Sequence, residues 1–296
     1  MLKIQGSIPA LITPMLNNRE FDKDSFEKMI GMHIESGTHG LVTMGTTGES
    51  PTLSHSEHKQ VIDITVNLAS GKLPVIAGTG SNSTCEAIEL TTYAKHAGVD
   101  ACLIVVPYYN KPNQEGMYQH FKEIAKEVDV PIIIYNIPGR SVVNMEIETI
   151  VRLTKDLPGA FIGIKDATGK PEYTKQLLQA VQGDFISLCG DDSLYSDFYA
   201  NGSVGTISVT ANVIPKQMAE LNNYALNGQI KEFEQLQQKL IPLHDILFAE
   251  PNPSPAKYVM FKLGIITDPQ VRLPLVQLSD ETKNKIDKIL SDLELL

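Results

Sequence analysis

Ala160-Phe161-Ile162-Gly163-Ile164-Lys165, followed at once by Asp166-Ala167-Thr168-Gly169, reads as a buried strand that stops abruptly at polar residues. A continuous apolar run, without polar alternation, is the pattern of a strand covered on both faces, as in a parallel sheet. Seven more stretches carry that pattern, at residues 8–13, 40–44, 74–77, 101–106, 130–135, 185–188 and 204–209. Helical periods lie between them, among others over 24–34, 84–97, 115–128 and 146–155. Eight evenly spaced strand-then-helix units with no dinucleotide fingerprint predict a (β/α)8 TIM barrel of the α/β class. The eighth strand is over by about Val209. The remaining chain, interrupted by Pro242 and by Pro251-Asn252-Pro253-Ser254-Pro255, is more than one closing helix needs. The expected division is therefore a barrel over 1–224 and a C-terminal helical domain over 225–296.

The bulk properties narrow the function classes. The chain has 296 residues, 42% hydrophobic and 20% charged, with Gly (21) and Pro (17) scattered rather than clustered. A formal net charge of −10 and the lack of a Lys/Arg-rich run argue against a nucleic-acid partner, whose phosphates would be repelled. The opening Met1-Leu2-Lys3-Ile4-Gln5-Gly6 lacks the basic start and apolar core of a signal peptide. No apolar run approaches the length of a membrane span, so no membrane partner is expected. Cys85, Cys102 and Cys189 are too few and too far apart for a disulfide framework. All three are expected to be small buried residues in a reducing compartment, the cytoplasm.

Barrel chemistry sits where strands end, and the polar residues collect there. The second strand runs into Gly45-Thr46-Thr47-Gly48-Glu49-Ser50, and the third into Gly78-Thr79-Gly80-Ser81-Asn82. The fourth runs into Pro107-Tyr108-Tyr109-Asn110, the fifth into Asn136-Ile137-Pro138-Gly139-Arg140, and the seventh into Gly190-Asp191-Asp192. Lys165 ends the sixth. A lysine at the mouth of a buried strand is partly stripped of water, which disfavours the ammonium, and the neutral amine is the form that condenses with a carbonyl. Around it stand hydroxyls, tyrosines, glycine-flanked N–H groups and an arginine, a set suited to a carbonyl substrate bearing carboxylates.

Rival motifs fail or stay ordinary. Ser83 stands where the third glycine of a dinucleotide loop belongs, and Gly169-Lys170 is followed by Pro171 rather than by Ser or Thr. His55 and His58, three apart on a helix, lack a third metal ligand and are expected to be exposed or part of an effector site. Asp191-Asp192 reads better as a helix cap than as a cation site.

Three segments in this order, Gly45-Thr46-Thr47-Gly48-Glu49, Tyr135-Asn136-Ile137-Pro138-Gly139-Arg140 and Gly163-Ile164-Lys165-Asp166-Ala167-Thr168-Gly169, make the chain resemble the dihydrodipicolinate synthase family. That family lies in the N-acetylneuraminate lyase superfamily of class I aldolases. The resemblance spans essentially the whole chain, including Asn252-Pro253-Ser254-Pro255-Ala256-Lys257. It implies condensation of pyruvate with L-aspartate-4-semialdehyde, with no metal and no organic cofactor. Lys165 would form the imine, and Tyr135 would shuttle protons, relayed by Thr47 and by Tyr109 from a neighbouring subunit. Thr46 and Thr47 would hold the pyruvate carboxylate, Arg140 the semialdehyde carboxylate, and Gly190 and Ile207 would line the site. A phenol, with an ordinary pKa of about 10, needs such a relay to move protons near neutrality.

The resemblance further implies an allosteric L-lysine site at Ser50, His55, His58, Asn82, Glu86 and Tyr108, and a homotetramer built as a dimer of dimers. Pro51 and Gly139 depart from the family pattern, at the effector loop and beside Arg140 respectively. The alternatives are a sister aldolase acting on sialic acid or a 2-keto-3-deoxy sugar acid, or a non-catalytic barrel that senses a keto acid or amino acid. Arg140 suits a short substrate ending in carboxylate better than a polyhydroxy chain.

Overall fold

The structure, a computed structural model, describes residues 3–296. Met1 and Leu2, which open the stretch read for a targeting signal, lie outside the described residues. Strands β1 (Gly6–Pro9), β2 (Leu41–Thr43), β3 (Val75–Gly78), β4 (Ala101–Val105), β5 (Ile132–Asn136), β6 (Phe161–Asp166), β7 (Ile186–Cys189) and β8 (Gly205–Ser208) form one parallel sheet. The sheet runs in the order β1-β8-β7-β6-β5-β4-β3-β2. A parallel bridge between Ala10 and Val42 joins its two ends, so the sheet curls into the (β/α)8 barrel.

The first strand is shorter and earlier than its apolar run predicts. Beyond Pro9 the chain leaves β8 and crosses to β2: Ala10 N–H still donates to Ser208 O, whereas Leu11 N–H donates to Val42 O. Asn212 holds that crossing, accepting from Ile12 N–H and donating to Ala10 O. An apolar run records burial, not ladder membership, so the sequence could not separate the strand from the stitch that closes the barrel.

Helices α1 (Lys23–Glu35), α2 (His55–Ala69), α3 (Thr84–Ala97), α4 (Gln114–Glu127), the short α5 (Pro138–Ser141), α6 (Ile147–Asp156), α7 (Pro171–Ala180), α8 (Tyr195–Ala200) and α9 (Pro215–Leu226) follow the strands in turn. Their starts are chemically marked. Asp22 accepts from Ser25 N–H, Asn113 accepts from Gly116 N–H, and Ser54 with Glu57 forms a reciprocal capping box. Beyond the barrel come α10 (Ile230–Ile246), α11 (Ser254–Lys262) and α12 (Asp280–Asp292). Pro242 does not break α10 as the sequence suggests. Buried Leu240 and Leu243 flank it and hold the helix in place across the missing hydrogen bond.

Two apolar layers result. Ile8, Val42, Ile76, Leu103, Ile133, Leu188 and Ile207 fill the barrel interior. A larger layer, with Ile104, Ile134 and Ile164 of the strands and Phe26, Phe121 and Phe198 of the helices, lies between sheet and helices. No helix among the described residues is long and apolar enough to cross a membrane. Cys85 is exposed, contrary to expectation, because it lies on the outward side of α3; Cys102 and Cys189 are buried in strands.

Candidate active site

Alternation along β6 decides where its last residues point. Lys165 lies in register with Tyr135 on one side and Leu188 on the other, and both neighbours belong to the barrel interior. Ile164 and Asp166 therefore face the helices. Ile164 packs in the outer layer, and Asp166 accepts from Thr174 Oγ1 of α7 at 2.6 Å and from Thr168 N–H at 2.9 Å. Burial pushes the Asp166 carboxyl above the ordinary carboxylate range. Its bonds pin the turn that follows the strand, so Lys165 projects from a backbone fixed on both sides.

Lys165 and Tyr135 are almost wholly buried, at 7% and 6% exposed. The Lys165 Nζ lies over the Tyr135 ring, 4.3 Å from its centroid. Gly190, at the end of β7, passes so close that a Cβ there would lie 3.1 Å from Lys165 Cε and 2.9 Å from Ala167 Cβ. A side chain at that position would displace the lysine, which is a physical reason for glycine there. Ile207 is buried in the barrel interior and pairs with Ile8.

The turn after β2 is built differently from a helix cap. Thr46–Gly48 form one 3₁₀ turn in which neither threonine side chain caps the backbone. Thr46 is half-buried, whereas Thr47 is buried and accepts a 2.9 Å hydrogen bond from Asn252 Nδ2. Glu49 follows in the left-handed region at φ 54°. Its fully buried carboxylate pairs with Lys257 Nζ at 2.5 Å and accepts from Arg272 N–H at 2.9 Å. Lys257 also donates to Gln270 O, and burial pulls its ammonium below the ordinary range while Glu49 opposes that shift. The Arg272 guanidinium reaches back to Glu57, Thr52 O and Arg19 O, and holds the Glu57 carboxyl down at about 2. The C-terminal helices thus hold the β2 loop.

Arg140 lies in α5, exposed, with only its backbone N–H bonded, to Ile137 O. The turn that carries it is held by Ser141 Oγ, which donates to Ile137 O, and by Asn136, which bonds Asn144 and Met145. Tyr109 is 88% exposed and adopts φ 71°, a left-handed conformation rare for a tyrosine.

The second cluster assembles only in part. Glu86 Oε1 meets His55 Nε2 at 2.8 Å, its other oxygen accepts from Ser81 Oγ, and Asn82 Nδ2 donates to Tyr108 O. Ser50 is half-buried in the next 3₁₀ turn, beside Pro51. His58 is not the exposed helix histidine that spacing suggests. It is turned into the core, with Nε2 against Gly78 O at 2.9 Å, and burial lowers its pKa to about 4. Asp191 does cap the turn after β7, accepting from Ser193 N–H, while buried Asp192 binds Val209 N–H and Thr210 N–H. Among the described residues no group of three or more His, Cys, Asp or Glu is placed to hold a metal ion. Ser81, Glu49, Asn252 and Lys257 stand in the quoted segments, but the sequence pattern gives none of them a role. The quoted stretch from Asn252 to Lys257 contained the signal, but not its partners.

Residues 3–293 match the model of the dihydrodipicolinate synthetase family. A 4-hydroxy-tetrahydrodipicolinate synthase of Brucella abortus biovar 1 (strain 9-941) is 47% identical over 284 residues, 96% of each chain. The chloride-inhibited dihydrodipicolinate synthase from Acinetobacter baumannii, solved in complex with pyruvate, superposes with a TM-score of 0.96 at 46% identity, covering 99% of this chain and 100% of that one. The enzyme from Cyanidioschyzon merolae, solved with lysine bound, gives a TM-score of 0.93 at 34% identity, with 99% of both chains covered. The chain belongs to the dihydrodipicolinate synthetase family and is a lyase.

Proposed function

We propose that this lyase condenses pyruvate with L-aspartate-4-semialdehyde through an imine on Lys165, giving 4-hydroxy-tetrahydrodipicolinate for diaminopimelate and lysine biosynthesis. The observation that carries the proposal is the buried Lys165 amine held over the Tyr135 ring at the C-terminal mouth of the barrel. The amine adds to the keto carbon and water leaves. The cationic imine nitrogen then serves as an electron sink, so the pyruvate methyl loses a proton and becomes an enamine nucleophile. That carbon attacks the aldehyde. The semialdehyde's own amine then attacks the imine carbon, which closes the ring and returns Lys165.

Tyr135, Thr47 and a Tyr109 from a second subunit form the proton relay. Thr46 and Thr47 hold the pyruvate carboxylate, Arg140 clamps the second carboxylate, and Gly190 and Ile207 line the cavity. The exposure of Tyr109 fits a side chain awaiting a neighbour, as a homotetramer made of two tight dimers would supply. L-Lysine inhibits through Ser50, His55, His58, Asn82, Glu86 and Tyr108, where Glu86 suits an ammonium. The enzyme works in the cytoplasm.

A coupled assay with both substrates, with and without millimolar lysine, tests the reading together with borohydride trapping of pyruvate. A protein that neither turns over nor acquires an adduct overturns it, and an unchanged rate in lysine removes the effector site alone. Tyr109→Phe is expected to lower kcat on the order of 10²-fold, the scale of a lost proton-transfer group. Tyr108→Phe should leave kcat within about twofold and weaken the lysine response, because Tyr108 lies beside Asn82 rather than the lysine mouth. Titration of lysine against the initial rate checks both variants.

A further inference from the structure

The loop that carries Arg140 leaves the barrel at one buried side chain and returns to it. Tyr135 and Asn136 end β5, and alternation sends them to opposite sides of the sheet. Tyr135 faces the barrel interior beside Lys165, whereas Asn136 faces the helices and is wholly buried. Asn136 Nδ2 donates to Asn144 Oδ1 at 3.0 Å and reaches Met145 O and Tyr173 Oη at 3.4 Å. Asn136 Oδ1 accepts from Met145 N–H at 3.2 Å. Residues 137–144 are therefore clasped at their base by a single carboxamide, the one neutral group that offers two N–H donors and an acceptor together. Buried Met145 seats the far end of the loop in the layer between sheet and helices, and Tyr173 of α7 donates to Met145 O at 2.7 Å.

The near end is seated too. Ile137 packs against the interior layer where β5 ends, and the N–H groups of Arg140 and Ser141 both donate to its carbonyl. The Arg140 backbone is thus fixed one turn from the barrel mouth, and its side chain is exposed. Val142 closes the same turn at φ 65° and is 65% exposed. A β-branched residue enters that region only where its surroundings impose it. Packing does not impose it on so exposed a side chain. The constraint comes through the backbone, from the Ser141 bonds inside the loop and the Asn136 clasp at its base.

We propose that Asn136 is a positioning residue for the second substrate, whose amide clasp holds the 137–144 loop in the conformation that presents Arg140 at the barrel mouth. This rests on the reading of Arg140 as a carboxylate clamp given above. Asn136 touches no substrate, and its effect passes through the loop. Imine formation lies outside its reach. Tyr135 O accepts from Val106 N–H and Asn136 O from Ala167 N–H, ladder bonds that a change of the Asn136 side chain leaves in place.

Steady-state kinetics with each substrate varied in turn, beside borohydride trapping of pyruvate, test the proposal. Asn136→Leu nearly keeps the volume and removes every bond of the amide. Asn144→Ala breaks the clasp from the loop side without touching β5. Asn136→Leu is expected to raise KM for the semialdehyde by about 10- to 100-fold, the scale of a misplaced group. Asn144→Ala should raise it by about 3- to 10-fold, the scale of one lost hydrogen bond. In both, the KM for pyruvate and the yield of pyruvate adduct should stay within about twofold of wild type, since only binding of the second substrate is weakened. In an Arg140→Ala background neither change should raise the semialdehyde KM further, because the group it positions is gone. A merely structural clasp would instead lower kcat and adduct yield together, with or without Arg140. Semialdehyde KM within about twofold of wild type in both variants, an equal rise in the pyruvate KM, or additive effects with Arg140→Ala overturns the proposal. Arg140→Ala that leaves the semialdehyde KM unchanged overturns the underlying reading as well, so the two failures are distinguishable. If Asn136→Leu does not fold, Asn144→Ala, alone and with Arg140→Ala, decides the question.

Discussion

Replacing Lys165 by methionine is expected to lower kcat by on the order of 10⁴-fold or more and to abolish the borohydride-trapped pyruvate adduct, with the fold intact. Loss of a covalent nucleophile removes an entire pathway rather than one contact, and other enzymes lose activity on this scale or beyond. Methionine suits the substitution because it fills nearly the same volume without an amine. Lys165 makes no ion pair among the described residues, so its removal strands no buried charge there. The far-ultraviolet circular dichroism and the denaturant midpoint should therefore stay close to wild type. Retention of activity within tenfold would place the chemistry elsewhere. An adduct surviving on the variant, mapped by peptide mass, would name the true nucleophile.

Replacing Lys257 by methionine should destabilise the protein by about 3–5 kcal/mol, through the uncompensated charge left on Glu49. Both partners are fully buried, and among the described residues the remaining hydrogen-bond donor to that carboxylate is Arg272 N–H. The double variant Lys257→Met/Glu49→Gln should recover most of the loss, because the penalty comes from an orphaned charge rather than from the missing pair. Urea unfolding of the wild type and the two variants checks this. If Lys257→Met unfolds at the wild-type midpoint, the pair contributes nothing to the tether between the C-terminal helices and the β2 loop. The same variant should also lose activity, since Glu49 lies two residues beyond Thr47.

The residues at the strand ends were legible because barrels deliver side chains by local rules. Lys165 follows a continuous apolar run, and alternation along that run places it inside while Asp166 faces α7. Thr47, Tyr135 and Gly190 stand at other strand exits for the same reason. Periodicity could not tell which of these side chains would be buried or bonded. Tyr135, near the end of β5, is buried, whereas Tyr109, beyond β4, is almost fully exposed, though both come with apolar strands. His58 turned inward because Gly78 O offered its ring an acceptor, a partner twenty residues away. Pro242 reads as a helix breaker in any window of sequence, yet the packing of Leu240 and Leu243 carries α10 through it.

From the sequence alone came the eight buried strands, their alternation with helices, and the lysine at the sixth exit, because hydrophobic period and chain order are local properties written residue by residue. Only the tertiary structure decided how the barrel closes through Ala10 and Val42, and how Asn252 and Lys257 come to bear on Thr47 and Glu49. Ala10 and Val42 lie 32 positions apart, and the other two pairs more than two hundred. No local window holds both partners, and their energies depend on burial that exists only once the chain has folded.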